Sequence, residues 1–175
     1  MNGDIPWRPL LPEEGLEGLK RTGSATWTRT APDTVEGQGT GALGFGADDW
    51  RDYELDVYVT PLAGGNVQIP FRVAPDAKRL YVLDLLLGWK AVAISKIDNG
   101  PGGAGLQKIS VVDQDLVHGR EYHVRLAARD RSLTSYVDGR LVNQVTDHDC
   151  RSGPLGFSLW QSRTRFRNPR YRLLA

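Results

Sequence analysis

Short stretches in which apolar and polar residues alternate run through most of this chain, and they constrain its fold more than any other feature. Tyr53, Leu55 and Val57 alternate with Glu54 and Asp56, and residues 67–73 repeat the pattern. Successive side chains of a β-strand point to opposite faces, so this period marks strands with one buried face. No segment keeps the 3.6-residue period of an amphipathic helix for more than about two turns. The pattern therefore predicts an all-β chain.

Turn residues separate the alternating segments at the spacing of a layered β structure. Asp138-Gly139 lies between two β-rich runs, which is a strong hairpin signal, and residues 98–105 form a glycine-rich loop. The spacing predicts about ten to twelve strands in a two-sheet antiparallel β-sandwich. One helical turn fits residues 13–20, and 61–65 is predicted to be a turn. A chain of 175 residues forms a single sandwich domain, 1–175, in this interpretation.

The charge and the hydropathy argue against nucleic acid and membranes as partners, and the cysteine content excludes an internal disulfide. The net charge of +1 offers no overall field for nucleic acid or an acidic membrane, and no apolar run is long enough to span a bilayer. Cys150 is the single cysteine, so no internal disulfide is possible. The first residues do not form a secretory signal, which predicts a cytoplasmic protein or a domain excised from a larger exported one. We expect a monomer.

Two polar clusters favour structural roles over binding sites. Arginines alternate along residues 163–172 and are expected to solvate one edge of a sheet instead of binding a polyanion. Asp147, His148, Asp149 and Cys150 are potential metal ligands. Neighbours in an extended segment point to opposite sides, so they cannot all reach one ion. We expect a polar loop there, and no metal or other cofactor in the protein.

A series of short motifs follows in a fixed order along the chain. They are Trp7-Arg8-Pro9-Leu10-Leu11, Gly15-Leu16-Glu17-Gly18, Trp50-Arg51-Asp52-Tyr53-Glu54-Leu55, Gly64-Gly65-Asn66 with Ile69-Pro70-Phe71-Arg72, Tyr136-Val137-Asp138-Gly139, and Gly153-Pro154-Leu155-Gly156 followed by Phe166-Arg167-Asn168. This order resembles the 3-keto-disaccharide hydrolase domain family, a branch of the laminin-G-like and concanavalin A-like jelly rolls. The resemblance implies a concanavalin A-like jelly roll that acts on or binds sugars.

The chain departs from that family where polar residues are usual. Val82 stands where the family commonly has a glutamate. Ser158 and Trp160 stand at the glutamine and histidine positions of the family's "LQDHG" motif. These replacements remove groups suited to acid–base chemistry and weaken the implied hydrolase activity.

Strand parity selects the candidate site. Five side chains lie opposite the inward faces of their strands, and they line one concave face if the family's strand order holds: Gln68, Arg72, Asp84, Ser158 and Trp160. Trp160, with Tyr58 and Trp89, would stack on a pyranose ring. Gln68, Arg72 and Asp84 would bind its hydroxyls. The structural alternatives are an Arg72–Asp84 ion pair and a Trp160 side chain covered by a loop.

The sequence favours a carbohydrate-binding jelly roll that holds a saccharide on its concave sheet. One alternative is a hydrolase of 3-keto-glycosides or related sugars, in which Asp84 is the remaining acid or base and Arg72 stabilises developing negative charge. Another is a laminin-G-like module that binds proteins. The single candidate carboxylate favours binding over catalysis, because glycoside hydrolysis usually needs a pair.

Overall fold

The computed structural model describes residues 4–175, and these form thirteen strands connected by turns and loops. The strands are β1 (Arg8–Pro9), β2 (Lys20–Gly23), β3 (Thr26–Ala31), β4 (Thr34–Phe45), β5 (Tyr53–Gly64), β6 (Val67–Phe71), β7 (Arg79–Leu86), β8 (Ala91–Asp98), β9 (Gly105–Asp113), β10 (Tyr122–Arg129), β11 (Ser132–Val137), β12 (Arg140–Thr146) and β13 (Leu155–Leu173). All the strand pairs among them are antiparallel. No membrane-spanning helix occurs within residues 4–175.

Two sheets share the long strands β13 and β4. Residues 158–159 of β13 pair with β6, which continues through β7 and β8 to β9, and this is the first sheet. Residues 162–173 pair with β5, which continues through β10 and β11 to β12, and this is the second sheet. β4 pairs with both halves of β13, and this pairing is irregular between Leu159 and Ser162. The predicted sandwich and jelly-roll architecture are confirmed.

The core lies between the two sheets, on the faces that alternation predicted. Leu55 and Val57 contribute from the second sheet, and Ile69 and Leu83 from the first, all fully buried. The rings of Phe157 and Phe166 stack with their centroids 4.0 Å apart, on either side of the irregularity in β13. One strand thus supplies core residues to both sheets.

Asn143 connects strands that lie far apart along the hydrogen-bonded ladder. Its Nδ2 donates to the Val92 carbonyl at 3.2 Å and to the Ser110 hydroxyl at 2.8 Å. Its Oδ1 accepts a hydrogen bond from the Ser135 hydroxyl at 2.7 Å. β12 therefore faces β8 and β9, which closes this side of the sandwich with a fully buried amide.

Some boundaries differ from the sequence predictions. Residues 61–64 continue β5 instead of forming a turn, because they pair with β13. Residues 13–19 form bends and turns and no helix. Trp89 lies in the β7–β8 turn, just before the strand in which it was expected.

The arginines of β13 lie on the outer face of a central strand, so the predicted position at a sheet edge is wrong. Arg172 bonds Glu54, which also binds Arg125 and Arg129. Burial alone would raise the pKa of Glu54, but the hydrogen bonds from these three arginines outweigh it, and the pKa is lowered. The alternating arginines of β13 therefore form a network of arginine–carboxylate pairs.

We predict that Asn143→Ala lowers the free energy of unfolding by about 2–3 kcal/mol, because it leaves buried partners without hydrogen bonds. Urea denaturation measures the change. Gln144→Ala is the matched control, since Gln144 is exposed on the same strand and should change stability by less than about 0.5 kcal/mol. Equal effects of the two substitutions would contradict the role given to Asn143.

Candidate functional site

Three of the predicted site residues form one row across the first sheet. Ser158 of β13 pairs with Gln68 of β6, and Gln68 pairs with Asp84 of β7. Directly paired residues lie on the same face of a sheet. This row lies on the outer face, because Leu83 and Leu85 on either side of Asp84 belong to the core between the sheets. The predicted parity of these three residues is correct.

The outer face of the first sheet carries short side chains that are shielded from solvent. Ala91 and Ala93 of β8 point outward, yet they are 2% and 0% exposed. Val82, Asp84 and Leu86 of β7 lie beside them and are at most 5% exposed. A flat sheet face open to solvent would leave such short side chains accessible, so longer neighbouring side chains must rise around them. We call this region the outer recess.

Asp84 is the polar centre of the outer recess. Burial raises the pKa of its carboxyl group, and the neighbouring Gln68 amide, the charge of Lys108 and the Ser95 hydroxyl only partly oppose that effect. The Ser95 hydroxyl lies 3.4 Å from Oδ2. Oδ1 is buried and has no hydrogen-bond partner within residues 4–175. A buried acceptor of this kind is costly unless a ligand or solvent completes it.

Two tryptophans stand near one end of the outer recess. Trp160 follows Ser158 by two residues on β13 and is 60% exposed, so no loop covers it. Trp89, in the turn between β7 and β8, is 66% exposed. The Lys108 ammonium lies 5.0 Å from the centre of the Trp89 ring, which places the indole over the recess side of β8 and β9.

Arg72 does not belong to this face, and its predicted place beside Asp84 is wrong. β6 ends at Phe71, and Arg72 has a φ of 47°, so strand alternation no longer applies to it. Its fully buried guanidinium donates to the Arg51 carbonyl at 3.0 Å, to the Asp130 carbonyl at 2.7 Å and to Asp52 at 3.1 Å. The ion pair forms with Asp52 instead of Asp84.

Tyr58 also lies elsewhere. It is on the outer face of the second sheet, where its ring stacks on His123 with centroids 4.5 Å apart. The guanidinium of Arg167 lies 4.2 Å from the centre of the same ring. Parity predicted correctly that Tyr58 points outward, but it does not tell which sheet the strand joins, so its grouping with Trp160 is wrong.

The segment 147–150 is a polar loop around Lys96. The ammonium of Lys96 lies 2.9 Å from Asp147 and 2.7 Å from Asp149. Asp147 also accepts a hydrogen bond from the Tyr81 hydroxyl. Within residues 4–175, no three histidine, cysteine or carboxylate side chains converge as metal ligands.

Sequence reasoning missed Ser95 and Lys108. Ser95 shares a face with Ala93 by simple alternation, so this signal was present in the sequence. Lys108 pairs with Ser95, but an irregularity between Ile94 and Ser95 shifts the register of β9. Such a bulge has no clear sequence signature, so the orientation of Lys108 was not accessible.

We predict that wild-type protein loses stability relative to Asp84→Asn as the pH rises above about 4. The raised pKa of folded Asp84 favours folding while the group is protonated, and this contribution is lost as the pH rises through that pKa. Unfolding free energies measured by urea between pH 3.5 and 7.5 test the slope. Asp113→Asn, at an exposed position of β9, is the control, and parallel curves for wild type and Asp84→Asn would contradict the prediction.

No curated protein matches the chain. The carbohydrate-binding module CBM66 from Bacillus subtilis aligns over 97% of both chains with 20% identity and a TM-score of 0.74. A protein of unknown function with a galectin-like fold from Bacillus subtilis aligns over 96% of this chain and 94% of its own, with 11% identity and a TM-score of 0.74.

A Bacillus licheniformis β-glucanase aligns over 100% of both chains, with 13% identity and a TM-score of 0.64. At these identities the likeness shows a shared fold. The family match goes further, because the model of the 3-keto-alpha-glucoside-1,2-lyase-like domain matches residues 6–172. It confirms the resemblance found in the order of the motifs. The chain therefore belongs to the 3-keto-alpha-glucoside-1,2-lyase-like domain family.

Proposed function

We propose that the outer recess binds a saccharide, with Asp84 at its centre and Trp160 and Trp89 near one end. The observation that carries this proposal is the buried Asp84 Oδ1, which lacks a hydrogen-bond partner within residues 4–175 and lies on the same face as an exposed tryptophan. A sugar hydroxyl is a suitable donor for that oxygen.

The composition of the recess suits a pyranose or furanose ring. A sugar ring offers an apolar C–H face to an indole and hydroxyl groups to polar side chains. Trp160 and Trp89 provide the aromatic surfaces, and Gln68, Asp84 and Ser158 provide an amide, a carboxyl and a hydroxyl in adjacent strand positions. Such a surface recognises a ligand without having to transform it.

The comparisons support a role in sugar recognition. One similar solved structure is a carbohydrate-binding module and another is a β-glucanase. The family itself takes its description from a lyase of 3-keto-alpha-glucosides. These relationships make saccharides the first ligand class to test.

A glycan array that includes 3-keto-glucosides should identify a ligand, and isothermal titration calorimetry should then measure its affinity. We predict that Trp160→Ala weakens binding about tenfold, the equivalent of roughly 1–1.5 kcal/mol of lost stacking. Asp84→Asn should weaken it by a similar or larger factor, because a hydrogen bond to a charged group is worth about 1.5–3 kcal/mol.

Tyr58→Ala is the matched aromatic control, since Tyr58 lies on the outer face of the second sheet. It should leave the affinity unchanged. Equal affinities for wild type and Trp160→Ala would remove Trp160 from the site. A folded protein that binds no glycan would favour the protein-interaction module instead.

A second candidate function is elimination on a 3-keto-glucoside, with Asp84 as the base. A ketone at C3 acidifies the proton on C2, and burial raises the pKa of the Asp84 carboxyl group, which makes its carboxylate a stronger base. Arg72 takes no part, because its guanidinium is bound to the loops at the end of the sandwich.

An assay that measures release of the aglycone from a 3-keto-glucoside distinguishes catalysis from binding alone. For an enzyme we predict that Asp84→Asn reduces kcat by about 10²–10⁴-fold while the ligand still binds. Binding of the same compound by wild-type protein without turnover would leave recognition as the function and would contradict the catalytic role.

A further inference from the structure

A cationic cavity lies at the end of the sandwich where β6 finishes. Its volume is about 230 Å³, and four loops line it. The lining residues are Arg51, Asp52, Arg72, Asp130, Arg131, His148 and Arg151. Arg72 enters this cavity because its left-handed backbone turns the side chain away from the row that contains Gln68. The cavity is therefore distinct from the outer recess.

Arg72 forms the floor of the cavity and is held rigidly. Its Nε and Nη1 donate to the main-chain carbonyls of Arg51 and Asp130. Nη2 carries two N–H groups, and its one acceptor within residues 4–175 is Asp52 Oδ1 at 3.1 Å. One N–H donor of a fully buried guanidinium is thus left for a ligand.

The rim carries arginines that no carboxylate neutralises. Along β13, the arginines at 163, 165, 167, 170 and 172 each pair with a carboxylate. Arg51, Arg131 and Arg151 are exposed, and none has a carboxylate oxygen within 4.0 Å in the described part of the chain.

The charges around the cavity do not balance. Four arginines face two aspartates, and one of these, Asp52, already accepts hydrogen bonds from Arg72 and from the Asp130 amide. With Arg72 paired to Asp52, the guanidinium groups of Arg51, Arg131 and Arg151 remain on separate loops against the single carboxylate of Asp130, so positive charges repel one another across the cavity. An anion between them would relieve that repulsion.

We propose that this cavity binds a small oxyanion: a carboxylate, sulfate or phosphate group, either as a free ion or as the charged substituent of a sugar. Guanidinium groups match such groups because two parallel N–H donors meet two oxygens. The imidazole of His148 adds a further possible donor. This site does not depend on saccharide binding in the outer recess.

Titration of the ¹⁵N-labelled protein with sodium sulfate, sodium phosphate and sodium glucuronate, each at constant ionic strength, tests the proposal. We expect saturable amide shifts confined to residues 51–52, 72, 130–131 and 148–151. Arg131→Gln with Arg151→Gln should weaken binding of the preferred anion by about tenfold or more for each arginine removed.

Arg21→Gln with Arg140→Gln is the matched control. It removes the same charge from two exposed arginines that also lack a carboxylate partner among the described residues but lie outside the cavity. The control double variant should bind the preferred anion with the affinity of wild type. Thermal melting checks that both double variants remain folded, and all variants keep Arg72, so the anchor is not disturbed.

The three anions distinguish the source of the ligand. Tighter binding of glucuronate than of sulfate or phosphate would support the site and assign it to an acidic sugar, whereas the reverse order would support the site and assign it to a free ion. Shifts that do not saturate, or an equal loss of affinity in the control variant, would overturn the proposal.

Discussion

The rest of the structure depends on the continuity of β13. One strand belongs first to the sheet of β6 and then to the sheet of β5, and it changes sheets at Trp160 and Gln161. Gln161 has a φ of 46°, and Gly64 lies so close to its carbonyl oxygen that a Cβ at position 64 would be 2.2 Å away. The bend thus needs glycine at a neighbouring strand, and it is the bend that presents Trp160 beside the row of Ser158.

Asp84, the polar centre of the outer recess, lowers the stability of the first sheet. Asp84 lies beside the outward-facing apolar residues Leu86 and Ala93, and its carboxyl oxygen Oδ1 lacks a partner within residues 4–175. An apolar residue of similar size would avoid the desolvation cost of that group. A buried polar group that destabilises the fold is common at functional positions, because a bound ligand can supply the hydrogen bond that the group lost on burial.

Sequence alone predicted the fold class and most inward positions, since alternation decides which face of a strand is buried. It placed Gln68, Asp84 and Ser158 on one face correctly. It failed at Arg72, because a positive φ at the end of β6 interrupts the alternation. It also failed for Tyr58, because assigning a residue to a face does not assign its strand to a sheet, and only long-range pairing does.

The way in which Arg72 is held has an evolutionary consequence. Its guanidinium bonds to main-chain carbonyls of Arg51, Asp130 and Cys150, and only Asp52 contributes a side chain. A main-chain oxygen is present whatever the residue type. Relatives could therefore change the exposed side chains at 51 and 130, and so alter what the end of the sandwich recognises, without removing the main-chain hydrogen bonds by which the same arginine holds the three loops together.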